Sequence, residues 1–392
     1  MKGRYRYRLR VNSTQAALLQ QVFDADRFVW NQALRRWNDL WRLEDRTGFS
    51  YGDAAGELTD WRGSYDWLAA QPQDPQQQTL RDLFHGVAAF FDTSNPAGRP
   101  TPKKKSAGYS TARWTRNGFA VKDGSLEVAT LAGRTALRVV WSRKLPSRPG
   151  MVTVRRDPVG RWWASFTVDV EPDPVGATGR STGLDVGLSV FATTEHPESD
   201  IANPRFARRA AKALARSQRN VAGKQKGSNN RVKAAKRVAR VHAKVANQRT
   251  DFQHKAARAL ARRYDRIGVE DLKIKNMSAR GKGAYKKGLN RAISDASWAA
   301  FVGTLSWHAA KAGHQVVRLP GRDTTQKCSD CGTKAKPRLQ LADRVFRCPD
   351  PACGLVLDRD RNAARNLNPG RTEPGGGVDG SKTRTPVGAL AA

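Results

Sequence analysis

Cysteine is almost missing from this chain. Only four occur in 392 residues, and all of them fall between Cys328 and Cys353. That excludes a disulfide framework spread through the fold, and in a reducing compartment four neighbouring thiols point to one metal site. Long apolar runs are missing too. No stretch approaches the roughly 20 residues needed to span a bilayer, and the opening Met1-Lys2-Gly3-Arg4-Tyr5-Arg6 has no apolar segment behind it. The expectation is a protein that stays in the cytoplasm. Negative charge is the third scarcity: 35 Asp and Glu stand against 70 Lys and Arg, a formal net charge of +35 with a pI near 10.9. Solubility needs far less, so the partner is a polyanion. A membrane-surface protein concentrates its cations on one amphipathic segment, whereas here they run from Lys2 to Lys382. Nucleic acid fits, and with it an association with the nucleoid.

The scarcity of acid is sharpest between Arg205 and Arg249, where there is no Asp or Glu at all. Residues 204–264 read as two helices turning back at 223–230. With no acidic side chains for i, i+4 pairs, their repulsion is unrelieved unless phosphates supply the counter-charge. Upstream, residues 1–12 alternate basic with apolar or aromatic side chains, the period of a strand with one cationic face, read as an edge strand on a phosphate backbone. Asn12 or Ser13 then caps a helix carrying Leu18, Leu19, Val22, Phe23, Phe28, Val29 and Trp30 at helical spacing. More helix is expected around 80–91. Residues 93–110, with Pro96, Pro100, Pro102 and Lys103 to Lys105, read as a basic loop. From 114 to 170 short β-rich runs alternate with Gly and Pro turns, as in a small barrel or sheet, and 171–180 is a linker. Beyond it come a buried strand at 181–194, a strand ending at Glu270, a basic loop at 273–290, a helix at 295–313 and a strand at 315–319. The Gly- and Thr-rich residues 369–392 are expected to be disordered.

Cys328-x2-Cys331 and Cys348-x4-Cys353 each place two thiols on one tight turn, and Gly332 and Gly354 follow with the backbone freedom such knuckles need. Four thiolates leave no open coordination position, so the expected Zn²⁺ is structural. The intervening Lys334, Lys336 and Arg338 suggest that the same element touches nucleic acid.

Three carboxylates sit in unusual company. Asp185 lies within the apolar run Gly183-Leu184-Asp185-Val186-Gly187, where a charge is costly unless paired or bound to metal. Glu270 ends Ile267-Gly268-Val269-Glu270, and Asp360 stands where a helix begins in Asp358-Arg359-Asp360-Arg361-Asn362. Alone, each reads as a strand-end ion pair or a helix cap. Together, on two strands and a helix, they fit carboxylates converging on hard cations.

The GLDVG and IGVED strands, the TTQKCSDCG knuckle and the CGLVLDRDRNAARNL ending resemble TnpB, the transposon-encoded OrfB-type family related to type V CRISPR effectors. The likeness extends from Tyr5-Arg6-Tyr7-Arg8-Leu9 and Arg27-Phe28-Val29-Trp30-Asn31 to Asn366. It implies an α/β multidomain chain: a RuvC-like, RNase H-type nuclease domain with an inserted zinc ribbon, preceded by a β-barrel wedge domain carrying a helical recognition insertion. On this chain the wedge would take residues 1–12 and 114–178, and the insertion with its basic loop 13–113. The nuclease domain would take 179–321 and 355–368, the ribbon 322–354, and the tail 369–392. The resemblance implies catalytic, Mg²⁺-binding (or Mn²⁺-binding) Asp185, Glu270 and Asp360, zinc ligands Cys328, Cys331, Cys348 and Cys353, and a capping role for Asp358. It implies RNA-guided cleavage of double-stranded DNA by two-metal hydrolysis, with a guide from the transposon end. Two rivals stand beside it: a guide-dependent DNA-binding regulator that does not cut, and an RNase H-type strand-transfer transposase.

Overall fold

The structure is a computed structural model and describes residues 1–42, 48–94, 97–105, 110–272, 274–277, 283–321, 323–340 and 342–371. Most of the expected tail, from residue 372 onward, lies outside the described residues. The chain forms two compact units that divide after Val170. Among the described residues no helix is long and apolar enough to cross a membrane.

The first unit opens with β1 (Lys2–Arg10) and continues through α1 (Ser13–Trp41), α2 (Tyr51–Ser64), α3 (Asp66–Ala69) and α4 (Gln73–Phe91). Six strands follow: β2 (Thr111–Thr115), β3 (Phe119–Lys122), β4 (Ser125–Thr130), β5 (Gly133–Val140), β6 (Met151–Arg156) and β7 (Trp162–Asp169). Asn12 starts α1 by a reciprocal capping box: its side chain accepts from Gln15 N at 2.8 Å and its own N–H donates to Gln15 Oε1 at 3.0 Å. The helix then buries Leu19, Val22, Phe23, Val29 and Leu34 along one stripe. α4 begins well before the apolar run that announces it, because its first turns are glutamine-rich and Pro75 sits where a proline costs no hydrogen bond.

The seven strands form one sheet in the order β2-β6-β7-β1-β5-β4-β3. β1 is therefore central, flanked by β7 and β5, and the edge-strand expectation is corrected. Alternation reports only that one face is open, which a central strand shares with an edge strand. Tyr7 and Leu9 point into the core while Arg4, Arg6 and Arg10 are exposed, and Arg6 and Arg8 lie over the Trp163 ring at 4.8 and 5.3 Å. The described part of the basic loop, at 97–105, is clipped down. Trp30 Nε1 donates to Thr101 O at 3.0 Å, and Asn31 exchanges hydrogen bonds with both backbone groups of Lys103. Lys103 faces fully buried Asp26, and burial holds its ammonium down to about 8 against the pull of that carboxylate.

The second unit comprises β8 (Ser181–Val186), β9 (Val190–Thr194), β10 (Ile201–Ala202), α5 (Phe206–Ala222), α6 (Asn229–Arg263), β11 (Arg266–Glu270), α7 (Ile274–Met277), α8 (Ala284–Ala296), α9 (Trp298–Ala312), β12 (Gln315–Leu319), β13 (Val345–Arg347), β14 (Val356–Asp358) and α10 (Arg359–Asn366). The single strand expected at 181–194 is a hairpin, broken where Gly187 N–H bonds to Phe191 O at 3.2 Å. Part of the expected basic loop is helix α8, and the helix expected from 295 starts at Trp298 because Ser297 takes a left-handed φ of 52°. Five strands form a sheet ordered β10-β9-β8-β11-β12, with β8, β11 and β12 parallel. Leu184, Phe191, Ile267 and Val269 pack against Ala257, Leu260 and Tyr264 at the end of α6, and against Phe301 and Leu305 of α9.

Candidate active site and cysteine cluster

Two glycines decide where the carboxylates go. Gly183 of β8 and Gly268 of β11 are directly paired across the sheet. A Cβ at Gly183 would collide with the carbonyl oxygen of Ala364, and one at Gly268 with that of Leu367. α10 can press its last turn onto the sheet only because both side chains are missing. Side chains two apart on a strand share a face, so Asp185 and Glu270, two residues beyond these glycines, point to the side that α10 covers. Asp360 stands in the first turn of that helix, where a negative charge is favoured. Asp358 caps the helix, accepting from Arg361 N at 3.0 Å.

The three acidic groups interact. Burial pushes Asp185 up to about 8, reinforced by the charges of Asp360 and Glu270 and opposed by Arg359. Glu270 is also raised by burial, and Gly321 leaves the space its carboxylate fills. The three carboxylates, however, do not bring one oxygen each to within 4.8 Å of the other two. They are near enough for the charges of Asp360 and Glu270 to act on Asp185.

Two arginines at this face were not foreseen. Arg359 is buried, donates to Gln340 O at 2.8 Å and holds Nε 3.6 Å from Asp360 Oδ1. Arg344, whose side chain is 59% exposed, places Nη1 4.0 Å from Asp360 Oδ2. The sequence signal for Arg359 was its place between Asp358 and Asp360. Arg344 carried none, since the segment between the two cysteine pairs delivers it from sixteen residues away.

The four cysteines come together as their spacing implied. Their sulfurs lie within 4.8 Å of one another, with Cys328–Cys353 at 3.7 Å and Cys331–Cys348 at 3.4 Å. Thiolates about 2.3 Å from a tetrahedral ion would stand roughly 3.8 Å apart, so the donor set fits a metal. Gly332 and Gly354 take φ of 79° and 60°, as the knuckle reading requires. The Thr333 hydroxyl draws Cys331 down to about 6, while burial pushes Cys348 up to about 12. Lys334 and Arg338 stay largely exposed and pair with Asp323 at 2.9 and 3.6 Å. The cluster is bolted to α10: Ser329 N donates to Asn362 Oδ1 at 3.0 Å, and Asn362 Nδ2 donates to Lys327 O at 2.8 Å.

The basic hairpin keeps its character. α5 buries no residue, and Lys233, Lys236, Arg237 and Arg240 of α6 are exposed. Arg249 pairs with Asp295 at 3.1 Å, and the same carboxylate caps α5 through Ala207 N.

Comparison with known proteins covers most of the chain. The OrfB_IS605 family, described as "Probable transposase", matches residues 165–280, and its "Helix-turn-helix domain" matches 1–46, whose described residues hold β1 and the long helix α1. A "Cas12f1-like, TNB domain" family matches residues 298–367. A Streptomyces pristinaespiralis protein is 37% identical over 94% of this chain and 89% of its own length. An Escherichia coli K12 protein is 30% identical over 93% and 90%. Both carry the name "Putative RNA-guided DNA endonuclease". The structure of a mini-RNA-guided endonuclease, CRISPR-Cas_phi3, shares the fold at a TM-score of 0.50 and 9% identity, over 94% of this chain and 92% of that one. With a relative this similar over nearly its whole length, the chain belongs to the OrfB, or TnpB-like, family.

Proposed function

We propose that the chain is a transposon-encoded, RNA-guided DNA endonuclease that hydrolyses target DNA at Asp185, Glu270 and Asp360. The observation that carries this is the gathering of three carboxylates on one face, where burial first and then the charges of Asp360 and Glu270 push Asp185 up to about 8. Such a site is costly unless a cation neutralises it. The three hard oxygen donors suit Mg²⁺ or Mn²⁺, the four thiols Zn²⁺. Asp185, Glu270 and Asp360 would hold the divalent ions, which when bound would supply water activation and stabilisation of the leaving 3′ oxygen. Arg359 positions Asp360, and exposed Arg344 is free to swing from Asp360 to the scissile phosphate. The α5–α6 hairpin and the Arg4–Arg6–Arg10 face of β1 bind phosphates of guide RNA and DNA, whose relatives' names and the charge of +35 both favour.

In domain terms, the first unit holds a wedge β-domain (1–12, 114–178), all but its residues beyond Val170, with a helical insertion (13–113). The second is a RuvC-like domain (179–321, 355–368) interrupted by a zinc ribbon (322–354). No observation favours a binding-only regulator or a strand transferase.

The test is cleavage of a plasmid matched to the RNA that copurifies with the protein, sequenced beforehand. Asp185→Ala is expected to lower the Mg²⁺-dependent rate about a thousandfold or more while RNA and DNA binding persist. Parent-like cutting by that variant overturns the site assignment.

A further inference from the structure

We propose that the groove between β10 and the middle of α6 holds one unpaired nucleobase of the DNA strand being cut. The proposal rests on the reading of the carboxylate face as a nuclease. The groove is an open cavity of about 620 Å³, within the size range of small-ligand sites. Its apolar walls include Phe206, the first residue of α5, and Phe252 of α6, whose ring centroids stand 5.9 Å apart at 74°. Gln248 lines it as well. Aromatic faces accept any base by stacking, and a glutamine amide both donates to and accepts from a base edge.

Two carboxylates also line the groove, and unpaired they would repel a nucleic acid. Neither is unpaired: Asp200 binds Arg361 at 2.7 Å and Asp251 binds Lys255 at 2.8 Å. They present acceptor oxygens with little net charge, which suits the exocyclic amino groups of adenine, cytosine and guanine.

Position ties the groove to the reaction. β10 forms the open edge of the sheet, two strands from β8 and so roughly 10 Å away. Ala202 pairs with Val190, and Asn203 Nδ2 donates to Leu188 O at 2.9 Å, so β10 ends beside the turn that follows Asp185. From the same place α5 departs, exposing Arg208, Arg209 and Lys212. A strand whose phosphates follow α5 passes this groove before it reaches the carboxylates.

The experiment is photo-crosslinking of single-stranded oligodeoxynucleotides, each bearing one 5-iodouracil, to the full chain with its copurified RNA, followed by peptide mapping. The expected crosslinks fall on peptides containing Phe206 or Phe252. Yield should drop about tenfold in Phe206→Ala and in the surface variant Gln248→Ala. Equal yields in both pocket variants, or crosslinks confined to other peptides, overturn the pocket. Because the readout needs no cleavage, it decides the pocket even if Asp185→Ala goes on cutting and the nuclease reading falls.

Discussion

The cysteine cluster is built from two chain segments and the carboxylate face from three, and the first is closed where the second is open. The four sulfurs sit within 4.8 Å of one another, and the three carboxylates do not. The difference lies in how each site carries charge. Cys331 is drawn down to about 6 while its neighbour Cys348 is pushed up to about 12, so the sulfurs gather without all being ionised, whereas burial and then the charges of Asp360 and Glu270 push Asp185 up to about 8. The sulfur site has the spacing that a metal ion would need. The oxygen site keeps a tension visible in Asp185.

The contrast breaks most completely at the cysteines. Cys348→Ser should reduce the protein from one tightly held zinc per chain to none and unfold residues 323–358 locally. Asn362 would lose its hold on Ser329 and Lys327, so cleavage should fall as well. Metal analysis with limited proteolysis between Asp323 and Asp358 checks this, and an unchanged zinc content would remove the sulfur site from the comparison.

A smaller effect sharpens it from the carboxylate side. Asp185 ionises at about 8 when folded, against 3.8 for the free group. In Mg²⁺-free protein its contribution to stability is therefore fully present below about pH 4 and is lost as the pH rises through 8. Asp185→Asn should raise the Tm more at pH 8.5 than at pH 5. Parent protein should gain Tm from Mg²⁺ at pH 8.5 and little at pH 5, where the proton competes. Paired thermal melts with Mg²⁺ and with EDTA test this, and a Mg²⁺ gain in Tm independent of pH would mean that the tension at Asp185 is absent.

The sulfur site was legible because its information is local: two short spacings and two glycines specify the knuckles. The carboxylates were legible as residues, but what aligns them was not. Gly183 and Gly268 read as ordinary strand glycines until α10 lies on them, and Arg344 reaches Asp360 only through the fold of the segment between the cysteines. The centrality of β1 was hidden because its alternation of Arg with Tyr and Leu encodes a face and carries no list of neighbours. Helix α8 was hidden by Lys286, Lys287 and Gly288, which suggest a loop, while Ile293 and Ala296, its buried anchors, come only at its end.

The smallest expected effect is at Asp358. As the N-cap of α10 it should cost about 1 kcal/mol when changed to Ala, with most cleavage retained. Complete inactivation in the plasmid assay would move the catalytic assignment from Asp360 to Asp358.

The glycine pair beneath α10 also sets a schedule. β8, β11 and the sheet around them are synthesised long before the helix that completes the site, and units of a chain fold in the order in which they emerge. A growing chain that has formed the sheet carries Asp185 and Glu270 with a bare glycine floor where α10 will lie. The last of the three carboxylates arrives bolted to the cysteine cluster through Asn362. Under the proposed assignment, a nascent chain can gather nucleic acid on its basic hairpin before it is able to cut.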